Sequence, residues 1–301
     1  MSSPGPKTNN AGGTMAVNAL AEENKVSERQ GRSTIHSLNR GRRSLAHKPA
    51  ATSLADPCAS CYGRGNCQLA HLLSLVDRPA ASRHLQTRVL APGEHVYRAG
   101  ETHDSLYAVK SGSVKSSLVS VSGENQVLAF HLPGDVLGLA SAGTHMHSSS
   151  AQALENTVVC SLPFARLEDF IAHSPGAFRW FLELAGSVLT GYQVLFTMLS
   201  RMKADARLGQ FLLDQSHCYR ERGYSAREFN LTMSRQDISN HLGLALETVS
   251  RLIARFQRDG VVKVERRKIT ILDPAALEAL AGSAGTGSVT DPGVCRPVRP
   301  A

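Results

Sequence analysis

The chain has 301 residues, 42% of them hydrophobic, and a formal net charge of +8, which leaves room for two ordinary domains plus tails. It contains no run of eighteen apolar residues, and its early apolar patch, Ala16 to Ala21, is short and followed by Glu22 and Glu23; neither a membrane span nor a secretory signal is expected. The charge is uneven: residues 1–50 carry eight Lys/Arg against three Asp/Glu, residues 51–200 nine against eleven, and residues 201–273 fourteen against nine. A basic C-terminal block on a neutral body points to a polyanion-binding domain attached to something that is not one.

Residues 1–52 are rich in Ser, Gly, Asn and Arg without a sustained apolar period, the composition of a disordered basic tail. Cys58, Cys61 and Cys67 then form a C-x2-C-x5-C array. So short a segment turns three thiolates toward one centre only by wrapping around something, and Gly63 and Gly65 are expected to ease the wrapping by accepting positive φ. In a cytoplasmic, reducing setting such clustering favours a soft metal centre over disulfides. The loop holds no fourth ligand. Cys160 lies in Thr157-Val158-Val159-Cys160-Ser161-Leu162-Pro163, a β-branched run that reads as a buried strand, with its thiol placed to face a loop packed on the strand's end. Taken alone, it reads equally as a small buried hydrophobe.

Leu69–Val76 is a short helix candidate. From Thr87 to Pro163 the pattern becomes short alternating runs punctuated by glycine: 88–90, 95–98, 105–110, 112–115, 126–131 and 158–162. Strands so closely spaced imply an antiparallel barrel or roll, with Pro133-Gly134-Asp135 as a turn inside it. Ser174-Pro175 opens a helix as N-cap and first helical residue. Leu182, Ala185, Leu189, Tyr192, Phe196 and Leu199 then recur in steps of three and four. That is a heptad seam, and a second apolar face runs through Val188, Leu195 and Met202. One face is expected to pack on the roll while the seam meets a second copy of the chain.

A helix from about Ala204 to Arg222, closed by Gly223, leads to Ser234-Arg235-Gln236-Asp237, a capping box with Asp in the Glu position. Two short helices around Gly243, 235–242 and about 246–259, in the basic part of the chain make a helix-turn-helix. On the second, Glu247, Ser250 and Arg251 lie away from the apolar face and near the N-terminal end. Arg251 suits guanine and Glu247 a cytosine amino group. The runs 261–264 and 268–271 around Glu265-Arg266-Arg267 form a hairpin with a basic tip, a wing that holds phosphate.

A cysteine loop, a β-roll, a long helix and a winged helix-turn-helix in that order resemble the Crp/Fnr superfamily, specifically its oxygen-sensing Fnr branch, over residues 58–280. Cys58, Cys61 and Cys67 match the branch's cysteine array, Cys160 falls where the branch places a distant fourth ligand, and Leu246 to Leu252 looks like its recognition helix. The resemblance implies an α+β fold: a cysteine loop and antiparallel β-roll of the cyclic-nucleotide-binding kind (53–173), a dimerisation helix (174–203) and a winged helix-turn-helix (204–280); residues 281–301 return to Gly, Ser and Pro, the composition of a disordered tail. It also implies a [4Fe-4S] cluster on the four cysteines. A homodimer would bind palindromic DNA resembling TTGAT-N4-ATCAA at low oxygen, with activation or repression through RNA polymerase.

Two departures modify that expectation. Cyclic-nucleotide relatives carry Gly-Glu-Leu and an Arg-Ser or Arg-Ala pair, where this chain has Gly138-Leu139-Ala140 and His147-Ser148-Ser149-Ser150-Ala151. A buried phosphate without a positive partner is disfavoured, so no cyclic nucleotide is expected. Tyr192 stands on the seam where some oxygen sensors keep an acid, and the apo-chain should therefore dimerise more readily. The alternatives are a zinc-stapled or otherwise redox-responsive regulator on the same cysteines, and an enzyme, for which no nucleophile–base pair or nucleotide loop is present.

Overall fold

The fold is that of a computed structural model, which describes residues 58, 61, 64–77, 81–120 and 123–282. The expected tail at 1–52, Gly63 and the residues beyond 282 lie outside these. The elements run α1 (Gln68–Ser74), β1 (Gln86–Leu90), β2 (His95–Tyr97), β3 (Ser105–Ser111), β4 (Val114–Val119), β5 (Asn125–His131), β6 (Val136–Leu137), β7 (Ser150–Ala153) and β8 (Thr157–Pro163). There follow α2 (Phe164–His173), α3 (Pro175–Arg201), α4 (Ala204–Glu221), β9 (Glu228–Asn230), α5 (Arg235–Leu242), α6 (Leu246–Arg258), β10 (Val262–Glu265), β11 (Lys268–Ile271) and α7 (Pro274–Gly282).

The expected roll is two antiparallel four-stranded sheets, ordered β1-β8-β3-β6 and β2-β7-β4-β5. β7 is absent from the sequence reading because Ser150-Ala151-Gln152-Ala153 has little strand preference; pairing with both β2 and β4 forces it. α2 and β9 are likewise unforeseen. Between the sheets lie Leu90, Val96, Val109, Val114 and Val159. The opposite face of the β8 sheet packs Leu106, Ala108 and Leu162 against Leu69 and Leu72 of α1, Leu167 of α2 and Trp180 and Leu184 of α3. Alternation along β8 therefore sends Val159 inward and Cys160 outward, toward the helices.

Ser174 caps α3 as expected: its hydroxyl accepts from the Ala177 amide at 3.2 Å, with Pro175 in the first turn. α3 is long and apolar enough to cross a membrane by length and composition, a property that counting unbroken apolar runs overlooked. Of its residues, Ala177, Trp180, Leu184 and Met198 are buried in this chain.

The C-terminal half is not a separate globule hung on the roll. Val127 and Phe130 of β5 share one core with Met198, with Phe211 of α4, with Ile238 and Leu242 of α5, and with Val249, Ile253 and Phe256 of α6. Polar contacts reinforce the joint: Ser113 Oγ donates to Thr232 Oγ1 at 2.8 Å, and Lys115 Nζ bonds Asp237 Oδ1. β9 adds a third strand to the β10–β11 hairpin.

Candidate metal centre and nucleic-acid interface

Cys67 is the N-cap of α1 in extended conformation, its carbonyl accepting the His71 amide at 3.0 Å. Just before it, Arg64–Asn66 makes one 3-10 turn. The stretch is seated on the Pro133-Gly134 turn: the Gln68 amide donates to Gly134 O at 3.1 Å, and the Gly134 amide donates to Val109 O at 2.8 Å. Gly134 has φ +98°, and a Cβ on it would stand 2.9 Å from the Asn66 carbonyl carbon and closer still to its oxygen. Gly65, by contrast, has no positive φ, and a Cβ there would meet nothing. The expectation that Gly65 permits the wrapping is therefore corrected: the loop rests on Gly134 of the turn instead.

Of the four predicted ligands, Cys61, Cys67 and Cys160 are free thiols. Cys58 is buried with Ala70, Leu73 and Ala81, and Cys67 packs at its side. Cys67 and Cys160 both lie against the core between the roll and the helices. Cys160 is mid-strand rather than at the strand's end, between Thr87 on β1 and Ala108 on β3. Burial pushes the Cys67 thiol up; the Ala70 and Leu69 amides pull it down less, and Cys61 and Asp135 push it further. Cys160 is pushed up to about 12, first by burial and then by Cys67, Cys58 and Cys61. Each of the other three sulfurs is thus within electrostatic reach of Cys160. Among the described residues no group of three or more His, Cys, Asp or Glu is already drawn into a metal-holding cluster. The donor set is nonetheless chemically uniform, four thiols of which Cys67 and Cys160 resist ionising unless a cation neutralises them, the character of a soft-metal or iron–sulfur site.

The region around His147 is filled by aromatic rings. His147, 2% exposed, stacks on Tyr97 with centroids 3.6 Å apart and meets His103 edge-on at 4.7 Å. Burial, followed by His103, lowers His147 to about 4; it is neutral at pH 7 and supplies no charge.

On α3, Leu182, Leu189, Tyr192 and Phe196 of the predicted seam are exposed, Phe196 most of all at 73%. Ala185 packs partly on the roll side and Leu199 on the core shared with the C-terminal half. Leu199 also sits against Gly243, whose Cβ would approach its Cδ2 to 3.2 Å. The second face behaves as expected, with Val188, Leu195 and Met202 packed within the chain.

The capping box is complete: Ser234 Oγ accepts from the Asp237 amide at 3.1 Å, and Asp237 Oδ2 accepts from the Ser234 amide at 3.0 Å. Gly243 turns the chain at φ +59°. α6 then buries Val249, Ile253 and Phe256 and leaves Glu247 and Arg251 exposed, with Ser250 half-buried between them. A residue missed in the sequence orients this unit. Arg207 of α4 donates to Met202 O at 2.9 Å, Leu199 O at 2.8 Å and Leu242 O at 2.9 Å, tying the end of α3 to the end of α5. An internal arginine on an amphipathic helix gave no signal of that role. At the wing tip Arg266 takes φ +59°, and Arg267 Nη1 donates to Thr232 O at 3.2 Å. Lys263 pairs with Glu265 at 2.8 Å.

Comparison with known proteins agrees with both halves. Residues 87–174 match the cyclic nucleotide-binding domain and residues 206–280 the Crp-like helix-turn-helix domain. The chain is 41% identical over 228 residues to the transcriptional activator protein Anr of Pseudomonas protegens, covering 74% of this chain and 93% of that protein. It is 44% identical over 188 residues to the anaerobic regulatory protein of Haemophilus influenzae, covering 62% and 73%. Among solved structures, FixK2 from Bradyrhizobium japonicum superposes with a TM-score of 0.61 at 29% identity, over 65% of this chain and 96% of that one.

Proposed function

This chain belongs to the Crp/Fnr family of DNA-binding transcriptional regulators, and on that premise we propose that it is a cytoplasmic, oxygen-responsive regulator whose signal enters through Cys58, Cys61, Cys67 and Cys160. The observation that carries the reading is the packing of Cys67 and Cys160 against one core with Cys58 beside Cys67, on a chain that also carries a winged helix-turn-helix. These four residues would hold a [4Fe-4S] cluster, which when bound supplies oxygen-labile redox chemistry. Cys67 at the start of α1 and Cys160 on β8 would engage it jointly, beside the core that α3 shares.

Leu182, Ala185, Leu189, Tyr192, Phe196 and Leu199 then serve as the line on which two copies pair, Leu199 and Ala185 as its partly covered edges. The pair sets two α6 helices in successive major grooves about 34 Å apart. Glu247, Ser250 and Arg251 read bases of a TTGAT-N4-ATCAA-like site, and the wing arginines hold phosphate. Recruitment or obstruction of RNA polymerase follows from occupancy. A cyclic nucleotide is not the effector in this reading, because a neutral His147 stands where a buried phosphate needs a cation. No catalytic step is assigned.

Anaerobic absorption spectroscopy with iron and sulfide analysis, repeated in air beside binding to a TTGAT-N4-ATCAA duplex, tests the proposal. The expected protein is brown, bleaches in air and releases DNA. A colourless zinc protein that binds equally in both conditions would overturn the oxygen switch.

A further inference from the structure

The turn under the cysteine loop is held from its other side by the DNA-binding half. Arg222, the last residue before Gly223 ends α4, reaches back to the roll: its Nε donates to Pro133 O at 3.0 Å and its Nη2 to Asp135 Oδ1 at 2.6 Å, while Nη1 bonds Cys218 O at 3.0 Å. The ion pair is secluded, with 7% of the Arg222 side chain and 17% of the Asp135 side chain exposed. Asp135 in turn fixes the turn itself, its Oδ2 accepting the Leu132 amide at 2.8 Å. Leu132 and Cys218 pack together beside these bonds. All three guanidinium nitrogens are therefore committed, two of them to a four-residue turn. The opposite side of that turn carries Asn66 against Gly134 and the Gln68 amide on Gly134 O.

We infer that Arg222 is a positioning residue that joins the cysteine loop to the DNA-binding half through the Leu132–Asp135 turn. A shift of the Asn66–Gln68 backbone has no slack at Gly134, since the two backbones are already in contact there, so the turn moves with the loop. The turn in its turn carries the end of α4, because a planar guanidinium bonded on all sides transmits displacement rather than absorbing it. The link bypasses α3, giving the sensor a second route to α5 and α6. Its regulatory consequence rests on the proposed cluster site; the mechanical link does not.

Hydrogen exchange on the metal-free, full-length chain tests the link. Arg222→Gln and Asp135→Asn are each expected to accelerate exchange of the Gln68 amide and the first turn of α1 by about tenfold, the change that a lost charge-assisted hydrogen bond brings. The interior roll amides of Val114 and Val159 should stay unchanged. Arg222→Lys, which keeps a cation for Asp135, should fall between. Acceleration confined to α4, with Gln68 as protected as in the parent, overturns the inference. Should Arg222→Gln loosen the whole roll, Asp135→Asn and Arg222→Lys are judged by the same criterion. In the iron-loaded protein, Arg222→Gln should retain the parent's iron content while the DNA-affinity ratio between loaded and metal-free forms shrinks by about tenfold. A chain that binds no iron would refute the cluster site and still leave the exchange result decisive for the link.

Discussion

Gly134 and Asn66 are in backbone contact, with no room for a methyl group between them: a Cβ on Gly134 would lie 2.9 Å from the Asn66 carbonyl carbon. Gly134→Ala therefore faces two penalties, the left-handed backbone at φ +98° and displacement of the loop one residue before Cys67. The expected outcome is a loss of about 1 to 3 kcal/mol in stability, together with lower iron retention after anaerobic reconstitution. Chemical denaturation and iron analysis on the same samples check it; full iron content in a folded variant would show that the seat is not needed.

The half-buried thiol of Cys160 gives a reactivity prediction. Only thiolates alkylate readily, and the folded metal-free protein pushes Cys160 up to about 12. At pH 8 its alkylation by iodoacetamide should be slower than in the unfolded chain by about two to three orders of magnitude, and should accelerate only as pH rises toward 12. Peptide mass mapping reads the rate at each cysteine separately. Fast modification at pH 8 would mean that the thiol is neither secluded nor flanked by the other three.

Much of this arrangement was legible in the residues, and its limits have physical causes. Ser174-Pro175 and Ser234 to Asp237 announce helix starts because capping is local chemistry, satisfied by atoms three residues apart. The heptad spacing on α3 and the apolar face of α6 are equally local. What escaped is long-range. β7 is a strand because two neighbours pair with it, and Gly134 matters because a segment sixty-odd positions earlier lies on it. Arg207 and Arg222 read as ordinary helix-surface arginines, yet their partners come from other elements. Gly65 was credited with a role that adjacency suggested and the fold gives to Gly134.

Leu189 and Leu199 belong to one predicted seam but face different fates, and substitution should separate them. Leu189→Asp, on an exposed position, should leave the monomer's stability within about 0.5 kcal/mol of the parent and abolish dimerisation in sedimentation experiments. Leu199→Ala, which removes a side chain packed on the shared core, should cost about 2 to 4 kcal/mol in unfolding. Equal dimer affinity in Leu189→Asp would move the pairing surface off this face.

Arg251→Ala should lose about 1 to 3 kcal/mol of discrimination at one base position of each half-site, whereas Arg266→Ala at the wing should weaken all sequences alike and flatten the salt dependence. Competition binding against single-base variants distinguishes the two behaviours. An unchanged preference in Arg251→Ala would remove it from base reading.

The joint between roll and α5 carries a pH dependence. Burial alone would raise the Asp237 carboxyl, but hydrogen bonds from Lys115 and Ser234 outweigh it and hold the group below its ordinary value. A carboxyl depressed in the folded state contributes stability that is present above the ordinary value, near about 4, and is lost as pH falls through the folded value. Stability should accordingly decline below about pH 4. Asp237→Asn should lose about 1 to 3 kcal/mol at neutral pH and show a shallower acid decline. Urea denaturation at pH 7 and pH 3.5 compares them.

Because Val127 and Phe130 of the roll are members of the same core as Phe256 of the DNA-reading helix, the two halves have no seam at which to part. Cutting the chain near residue 204 would expose on one fragment the aromatic surface that the other was covering, so a liberated reading head would be sticky rather than soluble. Heat should likewise find one melting event and not two, with sensor and reader lost together.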